Sequence, residues 1–241
     1  MITYSIYTDV GSREKNEDSV CEFHSGTRKV FAVADGLGGH GMGEVASSMA
    51  IDVVKKIAEN SELEKTEYLS AVFEIAQDEI LDKQGNGFSN GIKTTLVVID
   101  FSGQCVSWGH IGDSRLYYFY NNKLVNHTLD HSVPQMLVLA HKIKEKDIRK
   151  HEDRNKLLRV LGSPWGSKKY ECSDVIEQKS GQSFLLCTDG FWEHIDEKTM
   201  RKLLKKANSV QDWMDSMVKV VKENGRDEAM DNNSAIAIWI R

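Results

Sequence analysis

The chain has 241 residues, of which 40% are hydrophobic and 28% charged, and its formal net charge is -5. That composition is typical of a globular protein with a sizeable core, and the negative charge argues against a nucleic-acid partner, which a basic surface would attract. The N-terminus lacks the basic start and apolar segment of a secretory signal, and no apolar run approaches the roughly 18 residues of a membrane helix. We therefore expect a cytoplasmic protein without a membrane partner.

Cysteine and proline usage agrees with that expectation. The four cysteines form no CxxC pair, so reduced, packed thiols in a cytosolic protein are expected and not thiolate metal ligands. No proline-rich linker divides the chain. The cysteines are Cys21, Cys105, Cys172 and Cys187, and the two prolines are Pro134 and Pro164.

The first third of the chain predicts strands followed by a pair of helices. Residues 2–8 alternate in polarity, and residues 29–34 form a nearly continuous apolar strand that ends at Asp35. Apolar residues then recur at helical spacing and predict a helix with one buried face, and residues 63–81 predict a second helix. A break rich in glycine and asparagine follows at 85–91. The buried face of the first helix consists of Ala46, Met49, Ala50, Val53, Val54 and Ile57.

The rest of the chain predicts antiparallel strands, a charged connecting region and a second pair of helices. Three strands follow one another without intervening helices, which requires hairpins and not parallel crossovers. Strands in blocks and helices in pairs favour an α+β fold in which two antiparallel sheets pack together between helices. The predicted strands are 94–99, 105–111, 115–120, 170–176, 183–187 and 234–240, with short helices within 132–159 and two helices within 197–224.

Carboxylates stand repeatedly at the ends of the apolar strands. Asp35 and Asp189 directly follow such a run, Asp113 follows a run and one glycine, and Asp231 precedes the last strand. An unpaired charge is costly to desolvate at a strand end, so a cation is the expected compensation. An Asp-Gly pair is also an ordinary turn, which is the alternative at each single position. Because the candidate ligands are all oxygens, the recurrence favours Mg²⁺ or Mn²⁺ over Zn²⁺, and two such ions could ionise a water and clamp a phosphoryl group.

A glycine motif offers a competing interpretation. Gly36, Gly38 and Gly41 match GxGxxG between a predicted strand and a predicted helix, as in a dinucleotide-binding loop. Against this, Asp35 would place a negative charge beside a pyrophosphate, and no βαβ succession follows. We favour glycines that let the backbone approach a metal and form a tight turn from strand to helix.

Eight short motifs stand in a fixed order along nearly the whole chain. They are REKNEDSV from Arg13, VADGLGGHGMGEVAS from Val33, TTLVV from Thr94, GDSRLYY from Gly112, DHSVPQML from Asp130, LLRVLG from Leu157, LCTDGFWE from Leu186 and DNNSAIAI from Asp231. In this order the sequence resembles the metal-dependent type-2C (PPM) protein phosphatases, particularly the compact bacterial members. The resemblance implies one catalytic domain over residues 1–241 with an αββα sandwich. It also implies hydrolysis of phosphoserine and phosphothreonine in proteins by a metal-activated water, without a phosphoenzyme intermediate.

The resemblance further implies a set of metal ligands. Asp35 is expected to bridge two ions, with the backbone carbonyl of Gly36 on one of them. Asp189 and Asp231 are expected to complete the first site, and Glu17 to face the second.

Three more residues extend this set. Asp18 is expected to act as a ligand through water, and Asp113 and Glu193 match positions that bind a third, weaker ion, although the family often has aspartate at the place of Glu193. The expected cofactors are thus two tightly bound Mn²⁺ or Mg²⁺ ions and a third one bound weakly.

The sequence offers a candidate residue for binding the substrate phosphate but leaves the proton donor unassigned. Arg13 is expected to hold the substrate phosphate, because its planar fork suits that task better than a lysine. Asn232 is expected to orient a ligand. Eukaryotic members carry a histidine, proposed to protonate the leaving group, where this chain has Leu37. His40 is close in sequence but equally fits a supporting position in the loop, so the general acid stays unassigned between His40 and a metal-bound water.

The region 130–165 resembles the flap that borders the cleft in bacterial members, and its lysines lie where a phosphopeptide would enter. The expected partners are phosphorylated proteins and a cognate serine/threonine kinase, and the expected state is a monomer. A catalytically inactive relative that only binds partners is the alternative. The presence of Asp35, Asp189 and Asp231 argues against it, because such proteins usually lose these carboxylates.

Overall fold

Two antiparallel sheets packed face to face form the centre of the protein, and a pair of helices covers the outer face of each sheet. The computed structural model describes residues 1–38, 42–59, 63, 65–85 and 91–241. The predicted αββα sandwich is confirmed. Every strand pair in these ranges is antiparallel, so the parallel βαβ unit of a dinucleotide-binding fold is not there and that alternative is wrong.

The described residues form twelve strands in two sheets. The strands are β1 (Ile2–Asp9), β2 (Asp18–Ser25), β3 (Arg28–Leu37), β4 (Lys93–Thr94), β5 (Leu96–Ser102), β6 (Cys105–Ile111), β7 (Arg115–Tyr120), β8 (Lys123–His127), β9 (Glu171–Cys172), β10 (Ile176–Glu177), β11 (Gln182–Cys187) and β12 (Asn233–Ile240). One sheet has the order β1-β12-β11-β7-β8. The other has the order β10-β6-β5-β3-β2, with β4 paired to β3 and β9 paired to β6.

Two long helices cover each outer face. The helices are α1 (Met42–Ala58), α2 (Lys65–Gly85), α3 (Val133–Leu139), a 3-10 helix (Glu145–Lys150), α4 (Asp189–Trp192), α5 (Glu197–Lys206) and α6 (Val210–Asn224). Side-chain caps fix where several of them begin: Asp196 accepts from the Thr199 N–H at 2.7 Å and Ser209 from the Asp212 N–H at 3.0 Å. Among the described helices, none is both long and apolar enough to cross a bilayer.

Alternation along the strands decides which side chains lie between the sheets. In β3, Phe31 and Val33 pack against the other sheet, whereas Val30, Ala32 and Ala34 pack under α1 and α2. Because side chains alternate with a period of two, the next inner position after Val33 is residue 35. The strand therefore carries a carboxylate on its inner face, at the edge of the space between the sheets.

The structure corrects several sequence-based boundaries. The strand β2 was not predicted, because it is a sheet edge in which Cys21 alone is fully buried. The edge strand β8 is absent from the predicted strands, since its exposed and half-buried side chains give no apolar run. The single strand expected at 170–176 is the two short strands β9 and β10, and α2 extends to Gly85. Sheet edges thus account for most of the missed strands.

The interior between the sheets predicts a large cost for one truncation. Phe184 is fully buried on β11 and lies 4.9 Å, ring centroid to centroid, from Tyr118 and 5.8 Å from Phe101. Phe184→Ala should lower the free energy of unfolding by about 3–5 kcal/mol in urea denaturation, because it removes buried area and leaves a cavity. The control Val125→Ala, on the edge strand β8 and 54% exposed, should stay within about 0.5 kcal/mol of wild type. Equal losses would contradict the assignment of this interior as the core.

Candidate functional site

A cleft of about 710 Å³ opens at the end of the sandwich where β3 and β11 finish and β2, β7 and β12 begin. Five separate segments of the chain bring acidic side chains to it. The lining residues are Arg13, Glu14, Lys15, Glu17, Asp35, Gly36, Leu37, Gly38, Asp113, Asn155, Leu157, Asp189, Asp231 and Asn232. Most of the acidic residues singled out in the sequence thus meet in one place, although up to 214 positions separate them in the case of Glu17 and Asp231.

Two of the carboxylates face each other directly. In the β2–β3 pair, Asp18 stands opposite Asp35. Like charges at opposed positions of a sheet are destabilising, and both groups also lose water. Burial, followed by the charge of Asp189, raises the pKa of Asp35 well above its ordinary value. Burial is also the main reason why the pKa of Asp18 rises to about 7. The fold therefore holds this pair where neither charge is stable without compensation.

Three carboxylate oxygens, two on residues that line the cleft and one on Asp18, which faces Asp35, are buried without a hydrogen-bond partner in the described part of the chain. They are Oδ1 of Asp18, Oδ1 of Asp113 and Oδ1 of Asp189. Burial raises the pKa of Asp113 and of Asp189, and Asp189 lies within hydrogen-bond range of the Asp35 carboxyl. Buried polar atoms almost always have a partner, so these oxygens fit hard divalent cations that would supply the missing contacts.

Close backbone contact brings Glu17 and the end of β3 together. The Gly36 N–H donates to the Glu17 carbonyl at 3.2 Å, and the Glu17 carboxylate accepts from the Gly43 N–H at the start of α1. A Cβ on Gly36 would lie 2.3 Å from the Gly43 carbonyl carbon and 2.6 Å from the Glu17 carbonyl oxygen. Only glycine fits here, which agrees with the expected role of the glycines in close packing. Burial raises the pKa of Glu17 above its ordinary value.

Arg13 lies across the mouth of the cleft. Its Nη2 donates to Oδ2 of Asp231 at 2.6 Å, while 58% of the Arg13 side chain is exposed. Asn232, next along the chain, accepts from the Glu17 N–H at 2.8 Å through Oδ1 and donates to two backbone carbonyls at 2.8 and 2.9 Å through Nδ2. Asn232 thus ties the segment before β2 to the start of β12, and so sets Glu17 relative to Asp231.

One predicted metal ligand lies apart from this arrangement. Glu193 does not line the cleft: its carboxylate forms an ion pair with Arg154 at 3.3 Å, and burial raises its pKa to about 7. Leu37 does line the cleft, so the place of the eukaryotic histidine carries no proton donor in this chain. His40 and Gly41 lie outside the described residues.

Hydroxyl groups beside the carboxylates make contacts that the sequence did not reveal. Thr95 Oγ1 accepts from the Asp35 N–H at 2.9 Å, and Thr188 Oγ1 donates to Oδ2 of Asp18 at 3.0 Å. Thr95 directly precedes β5 and Thr188 directly follows β11. Each lies on the face of its strand that points between the sheets. That alternation is the signal that could have placed them between the sheets, next to the aspartates.

A second group of ligand-type side chains lies outside the cleft. Atoms of His110, His131 and Glu171 lie within 4.8 Å of one another. However, His131 Nδ1 accepts from the Gly112 N–H at 3.2 Å, so neutral His131 carries its proton on Nε2, which faces Glu171 at 3.5 Å. Arg159 also donates to that Glu171 oxygen at 3.0 Å. The bond from Gly112 occupies the lone pair on Nδ1, and the proton on Nε2 occupies the other nitrogen, so neutral His131 has no free lone pair for a cation.

The raised pKa of Asp18 predicts how the metal-free protein responds to pH. The unfolded chain releases this proton near about pH 4, whereas the folded state keeps it up to about 7. The stabilising contribution is thus complete at low pH and lost as the pH rises through about 7. In chelator, the melting temperature should fall as the pH rises from about 4 to about 7, and it should fall less in Asp18→Asn. Equal pH slopes in both proteins, measured by calorimetry, would show that Asp18 is not the group responsible.

Comparison with known proteins agrees with this geometry. The sequence model of the protein phosphatase 2C family matches residues 10–233. The serine/threonine phosphatase stp of Listeria welshimeri is 30% identical over 233 residues, which cover 92% of this chain and 90% of that protein. The crystal structure of the Mycobacterium tuberculosis serine/threonine phosphatase PstP/Ppp has a TM-score of 0.86 and 27% identity, covering 100% of this chain and 99% of that one. The catalytic domain of PstP in complex with two manganese ions has a TM-score of 0.81 and 26% identity, covering 99% and 97%. This chain therefore belongs to the protein phosphatase 2C family.

Proposed function

We propose that this protein hydrolyses phosphoserine and phosphothreonine in other proteins with the help of Mg²⁺ or Mn²⁺, and so reverses the action of a serine/threonine kinase. The observation that carries the proposal is the set of buried carboxylate oxygens without a partner, among the described residues, on Asp18, Asp113 and Asp189. Oxygen ligands at one end of a rigid sandwich suit hard divalent cations. Family membership and the two manganese ions of the PstP complex support the same conclusion.

We assign the ligands from the family resemblance together with the neighbours of each side chain. Asp35 faces Asp18 across the strand pair and feels the charge of Asp189, which suits a bridge between two ions, and the carbonyl of Gly36 follows it on the same strand. Asp189 and Asp231 would complete one site, since the charge of Asp231 acts on Asp189. Glu17 would hold the second ion together with water. Asp18, which faces Asp35 across the strand pair, would act through a water molecule.

A third ion would bind at Asp113 with less support from its neighbours. Asp113 has a buried oxygen without a partner in the described residues, but Glu193 is held by Arg154. A cation there has to compete with that guanidinium, which explains in physical terms why this ion would be the weakest of the three.

Divalent cations in this cleft would lower the pKa of a water molecule and neutralise charge on the phosphoryl group. The chain itself would orient the substrate. Arg13 can swing from Asp231 to a phosphate at the cleft mouth, where its fork gives two parallel hydrogen bonds. Asn232 fixes the position of Glu17 relative to Asp231. Leu37 offers no proton at the place of the eukaryotic histidine, and we favour water over His40 as the general acid.

The proposed catalytic domain spans the whole chain. Residues 1–241 would act as one catalytic domain, as a cytoplasmic monomer that meets phosphorylated proteins and a cognate kinase. Region 130–165 reaches the cleft wall through Asn155 and Leu157, and we expect its basic residues to lie near the entrance. They would steer phosphopeptides with modest strength.

Metal dependence tests the proposal. Asp35→Asn, Asp189→Asn and Asp231→Asn should each lower kcat/KM for a phosphothreonine peptide by about 10²–10³-fold, because each removes a charge that holds a cation. Phosphate release would be measured across a Mn²⁺ titration and after chelation, which should abolish turnover.

Asp215→Asn is the matched control, since this carboxylate lies on the outer surface of α6 and accepts from Gln211 at 2.8 Å. It should leave the kinetics unchanged. Full activity after exhaustive chelation would refute the metal centre. A wild-type protein that binds Mn²⁺ but releases no phosphate would instead identify a phosphatase fold without activity.

A separate prediction concerns Arg13. Arg13→Ala should raise KM for small phosphate esters more than it lowers kcat, because the guanidinium holds the phosphate in the ground state. Arg13→Lys keeps the charge but loses the fork, so it should recover only part of the affinity. Steady-state kinetics with saturating Mn²⁺ would decide. A fall in kcat at constant KM would place Arg13 in transition-state stabilisation.

A further inference from the structure

The indole of Trp192 lies directly behind one of the cleft carboxylates. Its Nε1–H donates to the backbone carbonyl of Asp113 at 3.0 Å, and the side chain is 2% exposed. Trp192 is the last residue of α4, whose first residue is Asp189. One turn of helix therefore carries a carboxylate into the cleft and places an indole against the segment that presents another.

Cations hold this indole in place. The guanidinium of Arg115 lies 3.5 Å from the Trp192 ring centroid, and it is itself buried and bound to both oxygens of Asp130 at 2.7 Å. Arg115 also donates to the Tyr117 hydroxyl at 3.1 Å. Arg149 donates through Nε to the Trp192 carbonyl at 3.1 Å. A desolvated cation over an indole is a favourable contact, so the ring is fixed by groups that do not reach the cleft.

The segment that carries Asp113 depends on contacts from outside the cleft. Gly112 has a φ of +99°, and a Cβ there would lie 2.5 Å from the Thr95 side chain. His131 holds Gly112 through both backbone groups, at 3.2 Å and 2.9 Å. Trp192 holds the next carbonyl. These contacts therefore fix the backbone from which Asp113 extends its carboxylate, whose Oδ1 has no partner in the described residues.

We infer that Trp192 is a positioning residue for the metal centre: its indole N–H fixes the backbone of Asp113 and thereby sets the affinity of the cation that binds Asp113. This inference rests on the proposed function. Trp192 would thus position a metal ligand in addition to packing in the core.

A matched pair of variants tests the inference. Trp213 is also buried in the same helix-covered core, and its Nε1–H donates to the Met200 carbonyl at 3.1 Å, away from the cleft. Trp192→Phe and Trp213→Phe thus remove the same donor from the same kind of acceptor. Mn²⁺ binding would be measured by calorimetry and by electron paramagnetic resonance, without substrate. Trp192→Phe should weaken the lower-affinity class of ions about 10-fold, as removal of a residue that orients a ligand typically does, and Trp213→Phe should not.

The outcomes separate this inference from the proposed function. Asp113→Asn should abolish the same class of ions and serves as the reference. If the wild type binds no Mn²⁺, the proposed function fails first. If wild type binds Mn²⁺ and both Phe variants bind it equally well, the role of Trp192 is refuted. Should Trp192→Phe not fold, an analogue with benzothiophene in place of the indole keeps the ring and its stacking and removes only the N–H, and the same binding measurement applies.

Discussion

Mutual repulsion among carboxylates that are only partly reached by water is the constraint on which this structure depends. Asp18 and Asp35 face each other across two paired strands, and the charge of Asp189 acts on Asp35 as well. No local interaction would gather these groups, because each raises the cost of charging the others. They stay together because two apolar interfaces, one under each helix pair, and the interior between the sheets hold their strands rigidly. The stability of the layers thus maintains an arrangement that is unfavourable in itself and favourable once cations are bound.

The sandwich delivers these groups by a simple geometric rule. Side chains on the inner face of a strand remain on that face when the strand passes beyond the core, so apolar inner positions are continued by polar ones at the rim. Asp35 continues Val33, and Thr188 continues Leu186. The neighbouring hydroxyl groups then satisfy backbone and carboxylate atoms that would otherwise be unpaired. The rim of the inter-sheet core is therefore polar by the same alternation that makes its centre apolar.

Features that depend on neighbouring residues in the chain could be predicted from the sequence, whereas contacts between distant residues could not. Apolar runs ending in aspartate, or in glycine and aspartate, predicted buried strands together with Asp35, Asp113 and Asp189 of the cleft, whereas Glu17 came only from the family resemblance. The edge strand β2, which carries Asp18, could not be predicted because only one of its side chains is fully buried. The hydrogen bond from Trp192 to Asp113 joins residues 79 positions apart, and no spacing rule reports such a contact. The ion pair of Glu193 with Arg154 likewise depends on how a distant loop folds back.

The pairing of the first strand with the last has a consequence for biosynthesis. Residues 2–9 occupy the edge of a sheet only through their register with residues 233–240, and β12 stands between β1 and β11. During synthesis β1 has no pairing partner until β12 has been made. Until then β11, which also pairs with β12, has an unpaired edge. Contacts over such sequence distances form slowly, so β1 can pair only after β12 has been synthesised. Because Asp231 directly precedes β12, the acidic cleft is complete only once that strand has taken its place.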